Sequence, residues 1–239
     1  GGRRGRSGGP QTGRAVGDHG GGRDDRHGVP VAVRICTQTL VAAGVVVAMT
    51  GRAAKVELIL FSVFELVAFM NFVNFMDGIN GLVPGQLVLL PLGAALLFGV
   101  AGDVTPILIA LVLAGALAGF LPFNFPRARM FLGDSGSVPL GFLCGGLLMW
   151  MAVTAADAAL YKTLAVLPFY FFLEGSLTVI RRLARGEKLS YAHREHFYQR
   201  LVRAGWSHAR TTGWIWVLQI VVTALTCWQW RAGWRVGVF

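Results

Sequence analysis

A succession of apolar runs, each close to 20 residues long, constrains this chain more than any other feature. An α-helix rises about 1.5 Å per residue, so about 20 apolar residues cross the roughly 30 Å hydrocarbon core of a bilayer. With 54% hydrophobic and only 14% charged residues, the composition excludes an ordinary water-soluble domain. We therefore predict an all-α, polytopic membrane bundle with about seven transmembrane helices. The predicted spans are residues 31–50, 56–76, 84–102, 105–124, 136–154, 158–179 and 210–230.

Residues 1–30 differ sharply in composition from the rest of the chain. They are rich in glycine and arginine and contain few apolar side chains, so burial offers little free energy to offset the entropy of ordering them. We predict a mobile cytoplasmic segment at 1–30 and a membrane-embedded domain at 31–239. The segment has almost no apolar content, which excludes a secretory signal peptide. It also has no initiating Met, so we expect a fragment or a loop at this end.

The basic residues lie mainly in alternate connections between the predicted spans. If residues 1–30 are cytoplasmic, so are 77–83, 125–135 and 180–209. The last two of these connections carry nine Lys and Arg residues, against only Arg52 and Lys55 in the predicted outer connections, as the positive-inside rule requires. The formal net charge of +10 therefore indicates contact with anionic membrane lipids and requires no nucleic-acid partner. The same alternation brings a set of polar residues to one membrane surface: Asp24, Asp25, Asp77, Asp134, His193 and His196.

The polar segment FNFPRARMFLGDSGS, residues 123–137, separates two apolar runs and contains one carboxylate, Asp134, in a Gly- and Ser-rich turn. One interpretation is that Asp134 or Ser135 caps a helix that begins near Val138. The other is that Asp134 is a ligand for a cation. Two arginines and an aromatic ring precede it, which is the composition of a site for a metal-bound phosphate ester with a stackable base. These residues are Arg127, Arg129 and Phe131.

A second polar group ends the predicted span 56–76. Asn71, Asn74 and Asp77 recur at intervals of three, which places them on one stripe of a helix facing protein or a water-filled cleft. Plain interhelical hydrogen bonding is the alternative. Gly78 and Gly81 follow and predict a helix break that lets the backbone approach a ligand closely.

The remaining candidates are weaker when taken alone. Asp24 and Asp25 lie among arginines, where adjacent acids commonly form a solvated, locally neutralised patch. His193 and His196 are three residues apart, but no Cys or third His is nearby to complete a zinc site. The pair therefore favours contact with phosphate oxygens, or transfer of a proton, over zinc binding. The alternative for this last loop is a basic helix that lies on anionic lipid.

Four of these segments, taken in order, resemble a known family, the polyprenyl-phosphate N-acetylhexosamine-1-phosphate transferases of glycosyltransferase family 4. They are DDRHG (24–28), the NxxNxxDG pattern (71–78), FNFPRARMFLGDSGS (123–137) and HREHFYQRL (193–201). The histidine segment resembles the branch that serves O-antigen-type sugars. The family's spans ahead of the Asp pair have no counterpart here, which again leads us to expect a fragment or a misread gene start.

The resemblance implies an activity and a partner set. A polyprenyl phosphate, such as undecaprenyl phosphate, would attack the β-phosphate of a UDP-N-acetylhexosamine, releasing UMP and leaving a lipid-linked sugar diphosphate for cell-envelope polysaccharide. The enzyme would lie in the bacterial cytoplasmic membrane with its site on the cytoplasmic face, and a homodimer is a possible assembly.

The resemblance also assigns roles to individual residues. Asp134 would hold Mg²⁺, or Mn²⁺ in its place, and Phe131 would stack on uracil. Asp24 or Asp25 would deprotonate or position the lipid phosphate, while His193 and His196 would contact phosphates. The substrate-binding candidates are Asn71, Asn74, Asp77, Asn80, Asn124, Arg127, Arg129, Phe131 and Arg194. Asn80 stands where many relatives have Asp, so a contact with uracil would be either neutral or absent here.

Two other functions stay open on the sequence. A polytopic transporter or channel would also contain polar residues within spans, but it predicts acids near the middle of the bilayer, whereas these carboxylates collect at one surface. An inactive remnant of the transferase, keeping only the membrane scaffold, is the third interpretation.

Overall fold

The computed structural model describes residues 29–51, 55–99, 104–155, 157–187 and 196–233. The chain divides into two units, residues 1–30 and 31–239, and the helices lie in the second. All regular secondary structure in the described residues is α-helical, which confirms the predicted fold class. The helices are α1 (Val31–Thr50), α2 (Val56–Met76), α3 (Leu82–Phe98), α4 (Thr105–Asn124), α5 (Gly133–Ala155), α6 (Ala158–Val166), α7 (Phe169–Ala184), α8 (Phe197–Arg203) and α9 (His208–Arg231).

Each predicted apolar run is helical over most of its described residues, but not every run has the length of a span. By length and composition, α1, α2, α4, α5 and α9 could each cross a membrane, and α6 with α7 would make a sixth span if the bent pair crosses as one. Helix α3 has 17 residues, about 26 Å of rise. By length and composition the candidate spans therefore number five or six against the seven predicted, because α3 is shorter than the others. The turn before α3 still meets the turn after α4, so α3 and α4 together leave one end of the bundle and return to it.

The predicted span 158–179 is broken in the structure. Helices α6 and α7 meet at an angle of 66° at Leu167 and Pro168. Proline has no backbone N–H to donate, so the hydrogen-bond ladder of α6 cannot continue through it. The break turns one apolar run into two helices, and the second carries the polar residues that approach the candidate site.

The short helix α3 lies at the centre of the core. Its residues Leu82, Leu87, Leu90 and Phe98 are inaccessible to solvent, and it packs against α2, α4, α5, α6 and α9. Aromatic rings join α2 to α7, with Phe69 and Phe171 edge to face at 5.4 Å between centroids. A helix enclosed on so many sides satisfies its backbone internally and buries its apolar surface in protein instead of lipid.

Contacts at one end of the bundle tie together several helix ends. Asn80, in the turn after α2, donates from Nδ2 to the Pro126 carbonyl 3.1 Å away and accepts from Thr212 of α9 at 2.8 Å. Tyr198 of α8 lies 3.4 Å from the Phe75 carbonyl at the end of α2. The turns after α2 and α4 therefore meet the starts of α8 and α9, as the alternation of crossings predicted.

Candidate active site

Asp77 is the residue at which α2 ends. Its backbone N–H donates to the Asn74 carbonyl at 3.2 Å, and its carboxylate accepts a hydrogen bond from the backbone N–H of Gly133, the first residue of α5. Burial raises the pKa of Asp77 to about 6, the Gly133 hydrogen bond opposes that rise, and the nearby Asp134 charge adds to it. The end of α2 and the start of α5 thus place two carboxylates in one electrostatic environment.

Asp134 lies in the first turn of α5, and its side chain is 75% exposed. Because α5 begins at Gly133, the prediction of a helix starting near Val138 with Asp134 or Ser135 as its cap is wrong. The helix dipole favours an acidic side chain in the first turn. In addition, the Ser137 hydroxyl donates a hydrogen bond to the Gly133 carbonyl at 2.8 Å. These local interactions start the helix earlier than the Gly- and Ser-rich sequence suggests.

The cation nearest to Asp134 among its described contacts belongs to α1. Arg34 brings Nη1 to 3.6 Å from the Asp134 carboxylate, with both side chains open to solvent. An exposed pair at this distance contributes little to stability, about 0–1 kcal/mol. Asp134 is therefore available for another positively charged partner.

The carboxylates suit one kind of metal site better than another. In the described part of the chain, no group of three or more His, Cys, Asp or Glu side chains lies close enough to enclose a metal. Mg²⁺ keeps several waters and is commonly held by one or two carboxylates together with substrate phosphates. The exposed Asp134, with Asp77 close by, fits that donor set and does not fit a closed zinc site.

Asn124 braces the segment that leads to Asp134. Its Oδ1 accepts from the Gly81 N–H at 2.7 Å, and its Nδ2 donates to the Met130 carbonyl at 2.7 Å. Asn124 is buried, so in this structure its amide joins two turns of the protein. Substrate contact by Asn124 stays a prediction.

The loop held by Asn124 presents exposed side chains. Phe131 is 74% exposed, and both Arg127 and Arg129 are exposed. An aromatic ring of this size left open to solvent in a polar loop is available for stacking, and two guanidinium groups beside it can meet anionic oxygens. The structure thus brings the predicted aromatic and basic residues onto the loop that precedes Asp134.

The polar stripe of α2 faces protein. Asn71 donates to Gln38 of α1 at 2.8 Å, and Asn74 donates to Ser137 of α5 at 3.2 Å. Asn71 thus makes the interhelical contact that was the alternative to substrate binding, and any substrate contact by it stays a prediction. Asn74 and Asp77 lie against the first turn of α5, one turn apart on α2.

The two glycines after α2 are approached by the protein's own side chains. A Cβ on Gly78 would come within 2.5 Å of the Tyr198 hydroxyl, and one on Gly81 would lie 2.6 Å from the Phe125 ring. Gly81 also has a φ of +75°, which disfavours any residue with a Cβ. The predicted helix break is present, and it leaves space for Tyr198 of α8 and for Phe125 in the loop after α4.

His196 directly precedes α8 and is buried, with 2% of its surface exposed. Its Nδ1 lies 3.4 Å from the Glu174 carboxylate and 3.3 Å from the Thr178 hydroxyl, both on α7. Its ring stacks on Tyr198 with a centroid separation of 5.5 Å. Contact between His196 and phosphate stays a prediction.

The sequence model of glycosyl transferase family 4 matches residues 19–152, more than half of the chain. This range contains the Asp pair, the NxxNxxDG segment and the segment that ends in Asp134. The chain belongs to glycosyl transferase family 4.

Individual relatives within glycosyl transferase family 4 extend the match beyond residue 152. Decaprenyl-phosphate N-acetylglucosaminephosphotransferase from Mycobacterium tuberculosis is 33% identical over 221 residues, which cover 78% of this chain and 54% of that protein. The protein of the same name from Mycolicibacterium smegmatis is 35% identical over 175 residues, covering 65% and 43%. Phospho-N-acetylmuramoyl-pentapeptide-transferase from Limosilactobacillus fermentum is 31% identical over 176 residues, covering 70% and 50%. The chain spans about half the length of the curated relatives that it matches.

Some candidates for this glycosyl transferase family 4 site lie outside the described residues. They are Asp24, Asp25, His193 and Arg194. Their roles stay predictions.

Sequence reasoning missed Glu174 and Tyr198. Both are buried. Glu174 accepts a hydrogen bond from the backbone of Phe197 at the start of α8, and Tyr198, within α8, stacks on His196. For Glu174 the signal was available, since an acid inside an apolar run is a candidate functional residue by default. For Tyr198 the signal was its place in the HREHFYQRL segment, although the sequence does not show which groups its ring contacts.

Proposed function

We propose that this protein transfers an N-acetylhexosamine 1-phosphate from a UDP-sugar to a polyprenyl phosphate, releasing UMP and leaving a lipid-linked sugar diphosphate. The observation that carries the proposal is the convergence of Asp77, Asp134 and the exposed loop with Phe131 at one end of an apolar helical bundle. The relatives' names support it, since they describe phosphotransferases acting on decaprenyl phosphate or transferring a phospho-sugar.

The chemistry requires charge neutralisation and alignment more than covalent help. One phosphate anion attacks another, so negative charge accumulates around the diphosphate. When bound, Mg²⁺, or Mn²⁺ in its place, would neutralise that charge, and Asp134 would hold it. Arg127 and Arg129 add fixed positive charge on the adjoining loop.

The donor and the acceptor would meet the site from different sides. We propose that Phe131 stacks on the uracil, while Asn74 and Asp77 line the nucleotide pocket. The polyprenyl chain belongs in lipid, and its phosphate would be deprotonated or positioned by Asp24 or Asp25 at the membrane surface. On the positive-inside orientation, that surface is the cytoplasmic face of the cytoplasmic membrane.

The test is exchange of radiolabelled UMP into UDP-sugar, using membranes that contain the full-length gene product and a polyprenyl phosphate. A panel of UDP-N-acetylhexosamines identifies the donor. We expect exchange that requires both the lipid phosphate and a divalent cation. Folded protein that exchanges no UMP with any donor, with Mg²⁺ or with Mn²⁺, would contradict the proposal.

A further inference from the structure

Helix α7 contains an acid that the proposed function does not use. Glu174 lies in an apolar helix and is only 7% exposed. Its Oε1 accepts a hydrogen bond from the backbone N–H of Phe197, the first residue of α8, and the same oxygen is 3.4 Å from Nδ1 of His196. A buried carboxylate is unfavourable unless it is hydrogen-bonded or paired, and these two partners lie more than twenty residues along the chain.

A second group on α7 faces the same imidazole. Thr178 is four residues after Glu174, so the two side chains lie on one face of the helix. The Thr178 hydroxyl is 3.3 Å from Nδ1 of His196 and is itself buried. The α7 face therefore holds both the start of α8 and the histidine before it.

Tyr198 contacts both His196 and the end of α2. The Tyr198 ring stacks on His196, with 13° between the ring planes, and is fully buried. Its hydroxyl lies 3.4 Å from the Phe75 carbonyl and against Gly78, where a Cβ would not fit. Burial, and then the charges of Glu174 and Asp77, raise the pKa of Tyr198 above its usual range.

We propose that Glu174 is a positioning residue of the transferase site. It fixes the start of α8, and through His196 and Tyr198 it holds this helix against the turn that carries Asp77. The inference rests on the proposed function.

Two substitutions at Glu174 separate anchoring from charge. Glu174→Ala removes the acceptor for the Phe197 N–H, whereas Glu174→Gln keeps an acceptor oxygen without the charge. The matched control is Glu65→Ala. Glu65 is also an acid within an apolar helix and also has a side-chain partner, the Tyr161 hydroxyl at 2.9 Å, but it lies three turns from the end of α2.

The first measurement does not depend on activity. Hydrogen–deuterium exchange of the peptide 196–203 is followed in full-length protein in nanodiscs. Loss of the Glu174 acceptor should speed exchange in the first turn of α8 by about tenfold or more in Glu174→Ala, with partial recovery in Glu174→Gln. The Glu65→Ala protein should exchange this peptide at the wild-type rate.

The second measurement is steady-state kinetics with the UDP-sugar that the exchange assay identifies. Because α8 and the Phe131 loop are separate elements, donor KM should change less than about threefold while kcat falls by about tenfold. Glu174→Gln should recover most of kcat. If Glu174→Ala does not fold, Thr178→Val serves as a second probe, because it removes one contact to His196 at nearly constant volume and should give a smaller change in the same direction.

The outcomes are separable. Unchanged exchange in both Glu174 variants refutes the anchor whatever the activity. Faster exchange with unchanged kcat leaves a structural contact and refutes the positioning role. A wild-type protein that fails the UMP assay overturns the proposed function, and with it the positioning role, while the exchange experiment still decides whether Glu174 anchors α8.

Discussion

Replacing Asp134 with Asn separates its proposed role as a metal ligand from any structural role. The substitution changes charge at nearly constant volume. In the structure the Asp134 side chain is 75% exposed, and its ion pair is the 3.6 Å contact with Arg34. Losing an exposed pair of this kind should change the free energy of unfolding by less than about 1 kcal/mol. The melting temperature in detergent should therefore stay close to that of the wild type.

Activity should respond very differently. An amide is a much weaker ligand for a hard divalent cation than a carboxylate, and the charge stabilisation that a metal supplies in a transition state is worth several kcal/mol. Since about 1.4 kcal/mol corresponds to tenfold in rate, Asp134→Asn should lower kcat/KM by about 100-fold or more at ordinary Mg²⁺. UMP exchange, with Mg²⁺ titrated over a wide range, measures the loss.

The chain provides a matched control in Asp157, which is a genuine helix cap. Its carboxylate accepts from the backbone N–H groups of Ala159 at 2.8 Å and Leu160 at 3.3 Å at the start of α6. Asn caps about as well as Asp, so Asp157→Asn should preserve both stability and activity, while Asp157→Ala should lose about 1 kcal/mol of stability. Near-normal activity of Asp134→Asn at ordinary Mg²⁺ would refute the ligand assignment and the centre of the proposed mechanism.

Three further predictions follow from the loops at this end of the bundle. Phe131→Leu keeps apolar bulk but removes the aromatic face, so the affinity for the UDP-sugar should weaken by about 1–2 kcal/mol, and an unchanged donor KM would place the uracil elsewhere. Asn124→Ala removes the partners of the buried Gly81 N–H and the partly buried Met130 carbonyl and should lower the free energy of unfolding by about 2 kcal/mol, so an unchanged melting temperature would contradict the brace. A single cysteine at Ala128 should be labelled only from the cytoplasm and one at Gly102 only from outside, whereas labelling of both from the same side would contradict the topology.

These tests require control variants of the same protein. Phe123→Leu alters a half-exposed aromatic ring at the end of α4 and should leave donor KM unchanged. The labelling experiment requires removal of the native cysteines, of which Cys36 is exposed. Asn124→Asp keeps one acceptor oxygen for the Gly81 N–H but sets a buried carboxylate against the Met130 carbonyl, so at neutral pH it should destabilise at least as much as Asn124→Ala.

The prediction of helices succeeded because hydrophobic length is a local property. Twenty consecutive apolar residues determine a helix in hydrocarbon whatever their neighbours are, and the predicted runs coincide with α1, α2 and α4 to within the residue. The boundaries failed where local propensity and context disagree. Helix α5 starts at Gly133 inside a Gly- and Ser-rich segment, and the run 158–179 breaks at Pro168.

The sequence also indicated which polar residues share one face, because two successive crossings return the chain to the side from which it started. Asp77 and Asp134 were predicted on one face, and the structure places Asp77 against the first turn of α5, next to Asp134. What the sequence could not supply is which partner each residue selects. Asn71 donates to Gln38, Asn124 joins two turns, and Asn80 donates to the Pro126 carbonyl. From the sequence alone, all three asparagines are equally good candidates for substrate contact.

Only the tertiary structure decided the contacts made across long separations in the chain. Tyr198 meets Phe75 across 123 residues, and Glu174 meets the start of α8 from another helix. Such pairs depend on the bend between α6 and α7 and on the space left by Gly78, which are set by the packing of the whole bundle. Spacing along one helix shows which side chains share a face, but only packing shows which group lies opposite that face.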